Sequence, residues 1–293
     1  MTLQELVLDA RERLIQAGIR SELAALDAEL LAREVLGWDR ARFLADRHRQ
    51  PPGDFCPSYE KLVVRRERRE PIHYITGSRE FWGLEFEVSR DVLIPRPETE
   101  FIVEEALACL KTEGRGGRTP PSQPLEIADI GTGSGVLAVA LARELPASRV
   151  TATDISAAAL TVAHRNALRH GVADRIRFIQ TNFLSAIAGP FALIVSNPPY
   201  VPAVSAPGLT PEVREYEPGV ALFGGADGLE GLRQVLDQAT PRLAPDGWLI
   251  VEFGYGQDDA LNDLIGERPA LALARIREDL QGIPRTAVVR KVA

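Results

Sequence analysis

Residues 125–142 read LEIADIGTGSGVLAVALA, and they give the strongest indication of architecture in the sequence. Leu125–Ile130 is predicted to be a strand, and Val136–Leu145 a helix. Three glycines lie between the two, where the backbone can turn tightly and approach a ligand closely. A strand, a glycine-rich turn and a helix in this order are typical of nucleotide-binding α/β sheets.

The spacing of the turn and a following acid indicate the kind of ligand. The turn at Gly131–Gly135 is GxGxG, whereas a dinucleotide fingerprint is GxGxxG and has a small residue at the position of Val136. Asp154 ends the next predicted strand, where a carboxylate can accept hydrogen bonds from both hydroxyls of a ribose. The combination favours S-adenosyl-L-methionine. Asp129 has two open interpretations, since it could hold the methionine end of that cofactor or could cap the loop.

Strand and helix patterns alternate along the rest of the C-terminal two thirds. Strands are predicted at Arg149–Thr153, Ile176–Gln180, Phe191–Ser196 and Trp248–Phe253, and helices after Ser156, at Leu229–Arg242 and at Gln257–Ile265. The tail predicts an antiparallel pair, Leu271–Glu278 with Thr286–Val292. This order predicts a doubly wound, Rossmann-like sheet, mostly parallel, with helices on both faces. Ligands of such sheets bind at the carboxyl ends of the strands.

A second unusual stretch, FALIVSNPPYVP at residues 191–202, ends a buried strand at an amide and two prolines. Proline fixes φ and removes an N–H, so the backbone of this stretch is rigid and holds its hydrogen-bond acceptors in fixed positions. The Asn197 side-chain oxygen and the Pro198 carbonyl can each accept one hydrogen of a planar NH2 group, and Tyr200 offers a face for stacking. This suits methyl transfer to an amide or an exocyclic amine, whose nitrogen needs orientation and charge stabilisation. A proline turn that merely ends the strand is the alternative.

The first seventy residues have a different, helical pattern. Ser21 is predicted to be a helix N-cap, and Arg65–Arg69 a solvated helix face of mixed charge. Aromatic and glycine residues after His73 predict a hairpin, and Glu113–Pro124 a flexible loop. We therefore predict a helical recognition domain at 1–72, a β-hairpin linker at 73–97 and a catalytic domain at 98–293.

Composition and charge argue against several classes of partner. The formal net charge of -7 argues against binding to nucleic acid, which needs a basic surface. The two cysteines, Cys56 and Cys109, lack metal-type spacing and indicate reduced thiols of a cytosolic protein, and the four histidines form no ligand cluster. No apolar run is long enough to span a membrane. We expect a cytoplasmic monomer without a metal and without a direct nucleic-acid partner.

At this point the chain resembles a known family over nearly its whole length, the bacterial peptide chain release factor glutamine methyltransferases. The resemblance rests on the glycine loop, Asp154 and five further segments: PIHYITG (71–77), EFWG (80–83), LIPRPETE (93–100), NPPY (197–200) and EFG (252–254). It implies N5-methylation of the glutamine in the Gly-Gly-Gln loop of release factors. It also implies that the helical domain recognises the factor.

The resemblance further implies roles for single residues. The expected cofactor contacts are Gly131, Thr132, Gly133, Ser134, Gly135, Asp154, Asn182, Phe183 and Asn197. The expected glutamine clamp is Asn197, Pro198, Pro199 and Tyr200, of which Asn197, Pro198 and Tyr200 are the expected catalytic residues. Asn182 departs from the family, which often has an acid there to accept from the adenine amino group; an asparagine can still accept through its side-chain oxygen.

Three alternatives stay open from the sequence. Adenine-N6 methyltransferases of DNA or RNA share the NPPY motif, although the acidic charge and the lack of a basic recognition segment count against them. A ribosomal protein glutamine methyltransferase is a second alternative, and PRPETE at 95–100 favours the release factor branch instead. A cofactor-binding protein without catalysis is the third, and it would not need the substrate acceptors at Asn197.

Overall fold

The computed structural model describes residues 1–112 and 124–292, and these divide into two units. The helical unit is Met1–Ser78 with Thr210–Tyr216, and the sheet unit is Arg79–Leu209 with Glu217–Ala293. The boundary between the units falls between Ser78 and Arg79, inside the predicted linker at 73–97. The division into 1–72, 73–97 and 98–293 stays a prediction. The predicted flexible loop Glu113–Pro124 lies outside the described residues except for Pro124.

The helical unit is built from amphipathic helices that share one apolar core. Its helices are α1 (Leu3–Gln16), α2 (Ser21–Leu36), α3 (Arg40–Asp46), α4 (Phe55–Glu67), α5 (Ile72–Thr76) and α9 (Pro211–Tyr216). Leu14, Leu31 and Phe55 are almost fully buried in the core. A capping box between Thr2 and Glu5 begins α1. The prediction of Ser21 as an N-cap is wrong, because Ser21 is the first helical residue and Arg20 occupies the cap position.

A network of ion pairs holds α9 in the helical unit. Arg66 donates to Asp27 (Nε to Oδ2, 2.8 Å) and to Glu212 (Nη1 to Oε1, 3.0 Å). Arg69 donates to both carboxylate oxygens of Glu212 at 2.7 Å. The predicted solvated face at 65–69 is wrong for Arg66, which is 4% exposed. The mixed charge of this helix did not indicate that Arg66 would be buried. Its two acidic partners, Asp27 and Glu212, are distant from it in the sequence.

We expect Glu212→Gln to destabilise the helical unit by about 1 kcal/mol, because it removes one charge of this network while Asp27 still compensates Arg66. Hydrogen exchange of the peptides around α9 measures the effect, which should be faster exchange. Glu215→Gln is the matched control, since Glu215 lies on the same helix in an exposed pair with Arg214. Equal exchange in both variants would show that Glu212 does not anchor α9.

The sheet unit contains a two-stranded hairpin and a seven-stranded sheet with the order β5-β4-β3-β6-β7-β9-β8. The strands are β1 (Ser78–Phe81), β2 (Leu84–Glu87), β3 (Leu125–Ile130), β4 (Ser148–Asp154), β5 (Ile176–Gln180), β6 (Phe191–Ser196), β7 (Leu243–Glu252), β8 (Leu271–Glu278) and β9 (Pro284–Lys291). Strands β3 to β7 run parallel, and β9 is antiparallel to both of its neighbours. The chain order reverses between β3 and β6, which is the position where such sheets bind ligands.

Helices cover both faces of this sheet, so the prediction of a doubly wound α/β fold is confirmed. The α-helices of the sheet unit are α6 (Glu100–Thr112), α7 (Val136–Glu144), α8 (Ala157–Arg169), α10 (Gly219–Leu222), α11 (Glu230–Ala239) and α12 (Asp258–Gly266). Successive strand residues point to opposite faces: Ile127 packs in the core with α6 and α7, and Ala128 in the core with α11 and α12. Nowhere in the described ranges does a helix have the length and apolarity needed to cross a bilayer.

Candidate active site

A cavity of about 310 Å³ opens at the carboxyl ends of β3, β4 and β6, within the size range of small-molecule sites. Strand pairing brings its walls together, because Ile130 of β3 pairs with Ser196 of β6 and with Thr153 of β4. The next residues along each strand, Gly131, Asp154 and Asn197, therefore lie side by side. The lining from this edge includes Gly131, Thr132, Gly133, Ser134, Asp154, Ile155, Asn182, Phe183, Asn197 and Pro199.

The glycine loop has the backbone that the sequence indicates. Gly131, Gly133 and Gly135 have φ of 69°, 54° and 84°, which residues with a Cβ rarely adopt. A Cβ on Gly131 or Gly133 would meet nothing within 4 Å, and both residues line the cavity. A Cβ on Gly135 would lie 3.0 Å from the Ala163 Cβ of α8. The first two glycines thus leave room for a ligand, whereas Gly135 serves the packing of α7 on α8 and does not line the cavity.

The Asp129 carboxyl is directed at the loop itself. Its Oδ2 accepts from the Thr132 hydroxyl at 2.6 Å and from the Ala138 N–H at 3.1 Å, and the residue is fully buried. Oδ1 has no hydrogen-bond partner among the described residues. Burial raises the pKa of Asp129 to about 7. These contacts favour loop capping over the alternative of holding the methionine end of a cofactor.

The titration of Asp129 gives a prediction for stability. The folded protein holds the carboxyl proton more tightly than the unfolded chain, whose ordinary pKa is 3.8. Between about pH 4 and about pH 7 the unfolded chain binds fewer protons, so this group lowers the free energy of unfolding as the pH rises. Urea unfolding at several pH values, without cofactor, measures the free energy of unfolding of both proteins. This free energy should fall less steeply with rising pH in Asp129→Asn than in the wild type. Parallel curves would contradict the assignment.

Asp154 lies at the end of β4 beside the glycine loop. Its Oδ2 accepts from the Gly133 N–H and its Oδ1 from the Ser156 N–H, both at 2.9 Å. Burial raises the pKa of Asp154, although these backbone donors oppose the shift. Each carboxylate oxygen has a further lone pair. The carboxylate is therefore fixed by the backbone and can still accept from a diol in the cavity.

Asn182 and Phe183 lie in the turn that follows β5, and both line the cavity. Asn182 is exposed, whereas Phe183 is partly buried against the core of α11 and α12. Phe183 has a φ of 51°, a left-handed conformation that is unusual for an aromatic residue. Such backbone strain concentrates at ligand sites, where the surrounding structure holds it in place.

The NPPY segment is anchored through a chain of side-chain hydrogen bonds. Asn197 Nδ2 donates to Thr99 Oγ1 at 3.0 Å, and the Thr99 hydroxyl donates to Glu252 Oε2 at 2.7 Å. The Tyr200 hydroxyl donates to the other Glu252 oxygen at 3.0 Å. Glu252 is 1% exposed, and burial raises its pKa to about 7. Burial, and then the charge of Glu252, raises the pKa of Tyr200.

The four predicted clamp residues differ in their relation to the cavity. Asn197 and Pro199 line it, whereas Pro198 and Tyr200 are not among its lining residues. The Tyr200 carbonyl accepts from Gln257 Nε2 at 3.0 Å, and its phenol is occupied by Glu252. Tyr200 thus has a clear structural role in holding the segment, and stacking of its ring on a substrate stays a prediction.

Several residues of the site were not predicted from the sequence. The cavity is also lined by Asp91, Val92, Leu93, Pro95, Arg96 and Thr99, and by residues between Pro218 and Gly225. Arg96 is held by an ion pair with Glu217 at 2.7 Å, and Glu217 also accepts from the Ile94 N–H. The only signal in the sequence was the stretch LIPRPETE, which contributed to the family resemblance without suggesting a role for Thr99.

Two family models match the chain. The PrmC N-terminal domain model matches residues 5–77, and the methyltransferase small domain model matches residues 119–207. The first match coincides with most of the helical unit. The second covers β3 to β6, with the glycine loop, Asp154 and the NPPY segment.

Curated relatives match the chain at nearly full length. A protein of Bradyrhizobium diazoefficiens named release factor glutamine methyltransferase is 40% identical over 288 residues, which are 97% of this chain and 95% of that protein. A protein of Moorella thermoacetica with the same name is 39% identical over 290 residues, 97% of each chain.

Solved structures are similar in fold at much lower identity. A methyltransferase from Pyrococcus furiosus has a TM-score of 0.53 at 19% identity and covers 78% of this chain and 99% of that one. The hMettl16 catalytic domain in complex with the MAT2A 3'UTR hairpin 6 has a TM-score of 0.55 at 16% identity, covering 81% and 82%. These likenesses support the fold alone.

Proposed function

Because this chain belongs to the release factor glutamine methyltransferase family, we propose that it methylates the side-chain nitrogen N5 of the glutamine in the Gly-Gly-Gln loop of peptide chain release factors. The observation that carries the proposal is the hydrogen bond from Asn197 Nδ2 to Thr99. It uses the nitrogen of the Asn197 amide for anchoring and leaves the oxygen as an acceptor at the cavity. An acceptor at this position suits an incoming NH2 group.

The residues around the glycine loop fit S-adenosyl-L-methionine as the methyl donor. The open space above Gly131 and Gly133 admits a ligand close to the backbone, and Asp154 can accept from ribose hydroxyls. Asn182, Phe183 and Asn197 line the same cavity. Under the proposal Asn182 and Phe183 would contact the adenine, and Asn197 would contact both the cofactor and the acceptor. The cofactor supplies an electrophilic methyl carbon on a sulfonium, whose sulfur leaves as a neutral thioether.

The chain itself contributes orientation and electrostatic stabilisation. An amide nitrogen is a poor nucleophile because its lone pair is delocalised. Asn197 lines the cavity, and the Pro198 carbonyl stays the second acceptor predicted from the sequence, although Pro198 is not among the lining residues. The two oxygens would each accept one N–H and direct the nitrogen toward the methyl carbon. They would also stabilise the positive charge that grows on nitrogen as the N–C bond forms. The nitrogen then releases one proton to solvent, so no strong general base is needed before transfer.

A protein glutamine fits the site better than an adenine of nucleic acid. A flipped adenine would also offer NH2 to Asn197, but extruding it costs a few kcal/mol and usually needs phosphate contacts on a basic surface. The net charge of -7 argues against such a surface. We further propose that the helical unit recognises the factor, that the enzyme acts as a cytoplasmic monomer and that it binds no nucleic acid directly.

Methyl transfer from labelled cofactor tests this function. The acceptors are a purified release factor, the same factor with glutamate in place of the loop glutamine, a ribosomal protein glutamine substrate and unmethylated DNA. We expect label on the native factor only, because a carboxylate would be repelled by both acceptor oxygens. Label on DNA or on the ribosomal protein at the same rate would replace the proposal with the corresponding alternative.

A further inference from the structure

One buried carboxylate, that of Glu252, is linked by hydrogen bonds to both ends of the NPPY segment, directly to Tyr200 and through Thr99 to Asn197. It accepts from Tyr200 and from Thr99, and Thr99 accepts from Asn197. Thr99 precedes α6, and Glu252 ends β7, so neither belongs to the loop that they hold. Glu252 is almost fully buried and does not line the cavity, whereas Thr99 does. Glu252 can therefore act on a substrate only through other residues.

The direction of these hydrogen bonds follows from what each group can donate. An ionised carboxylate only accepts, so Thr99 must give its single hydroxyl hydrogen to Glu252. The Thr99 oxygen then has only lone pairs to offer to Asn197, and the Asn197 amide must present its nitrogen to it. The Asn197 oxygen is left on the other side, where the proposed substrate needs an acceptor. The two ends of an amide are similar in size, so sterics alone would not select this orientation.

We propose that Thr99 and Glu252 are positioning residues of the methyl transfer, which orient the Asn197 amide with its oxygen toward the substrate nitrogen and fix the Tyr200 end of the same segment. The inference rests on the proposed function, because it assigns how the acceptors of that reaction are set. If the orientation were reversed, the Asn197 NH2 would face the substrate NH2 and repel it. Positioning therefore affects the rate at saturating substrate more than it affects binding.

The orientation of the Asn197 amide depends on pH, because it depends on whether Glu252 is ionised. When Glu252 is protonated, it can donate to Thr99, and Thr99 can then donate to the Asn197 oxygen, which permits the wrong orientation. Besides Tyr200, the charged groups facing Glu252 are Glu98, which raises its pKa, and Arg285, which lowers it. Arg96 also acts on the neighbouring Tyr200. Turnover should therefore rise as Glu252 loses its proton near neutral pH.

The first test compares Thr99→Val with Thr99→Ser at saturating cofactor, using whole release factor as the substrate. Valine keeps the size of the side chain but removes the acceptor for Asn197. We expect Thr99→Val to lower kcat about 10- to 100-fold, as the loss of supporting hydrogen bonds commonly does, with KM for the factor changed by less than about threefold. Thr99→Ser keeps the hydroxyl and should restore kcat to within about threefold of the wild type.

The second test is the pH profile of kcat in the wild type and in Glu252→Gln. The wild-type rise near neutral pH should be absent in Glu252→Gln, whose kcat should be low at every pH because an amide can donate to Thr99. Normal kcat in Thr99→Val, or equal loss in the valine and serine variants, would overturn the inference. An unchanged pH profile in Glu252→Gln would also overturn it. If Glu252→Gln does not fold, the valine and serine pair still decides. Absence of wild-type activity on the factor would instead refute the proposed function.

Discussion

Replacing Asn197 by alanine is expected to lower kcat for release factor methylation about 100- to 1,000-fold, the usual effect of removing one preorganised polar group from a transition state. The Asn197 oxygen is one of only two acceptors proposed for the substrate nitrogen. Its contribution grows as positive charge develops during transfer, so the ground state gains less from it than the transition state does. KM for the factor should accordingly change by less than about threefold.

Single-turnover methylation with saturating enzyme separates this effect from factor binding. Asn197→Asp is an informative companion, since it keeps the size and an acceptor but loses the N–H that anchors the side chain to Thr99. We expect it to be impaired as well, because two acceptors would then face each other at Thr99. A normal kcat with a raised KM in Asn197→Ala would mean that Asn197 binds the factor without promoting transfer.

The fold of the sheet unit could be predicted because its signals are local. Strands β3, β5 and β6 have the predicted boundaries, since each is a short segment rich in apolar residues that ends at a polar residue or a turn. The glycine loop and Asp154 could be placed for the same reason. Once the order of parallel strands is known, the ends of β3, β4 and β6 must meet at one edge of the sheet.

The hydrogen bonds that hold the site residues in place could not be predicted, because they join residues that are distant in the sequence. Thr99 and Glu252 are 153 positions apart, and Thr99 and Asn197 are 98 apart. A threonine before a helix and a glutamate at a strand end have no periodicity that would connect them. The same holds for Arg66, whose partner Glu212 lies 146 positions further along the chain. Mixed charge in Arg65–Arg69 described the composition of the helix and not its surroundings.

Replacing Asp154 by alanine is expected to weaken cofactor binding by about 1.5 to 3 kcal/mol, the usual cost of losing hydrogen bonds to a charged acceptor. This corresponds to an increase of about 10- to 150-fold in Kd. The structure adds a second reason for the loss, because the carboxylate also accepts from the Gly133 N–H and fixes the glycine loop. Calorimetric titration of the protein with S-adenosyl-L-methionine measures the change.

The two contributions of Asp154 can be separated with Asp154→Asn. An asparagine keeps one acceptor oxygen for the loop or for a ribose hydroxyl but cannot accept on both sides, so its Kd should lie between those of the wild type and Asp154→Ala. Turnover at saturating cofactor should stay close to the wild-type value in both variants, because Asp154 is assigned to the ribose and not to the reacting atoms. Unchanged affinity in Asp154→Ala would remove Asp154 from the cofactor site. A loss of kcat equal to that of Asn197→Ala would instead mean that the loop anchored by Asp154 controls the position of the methyl group.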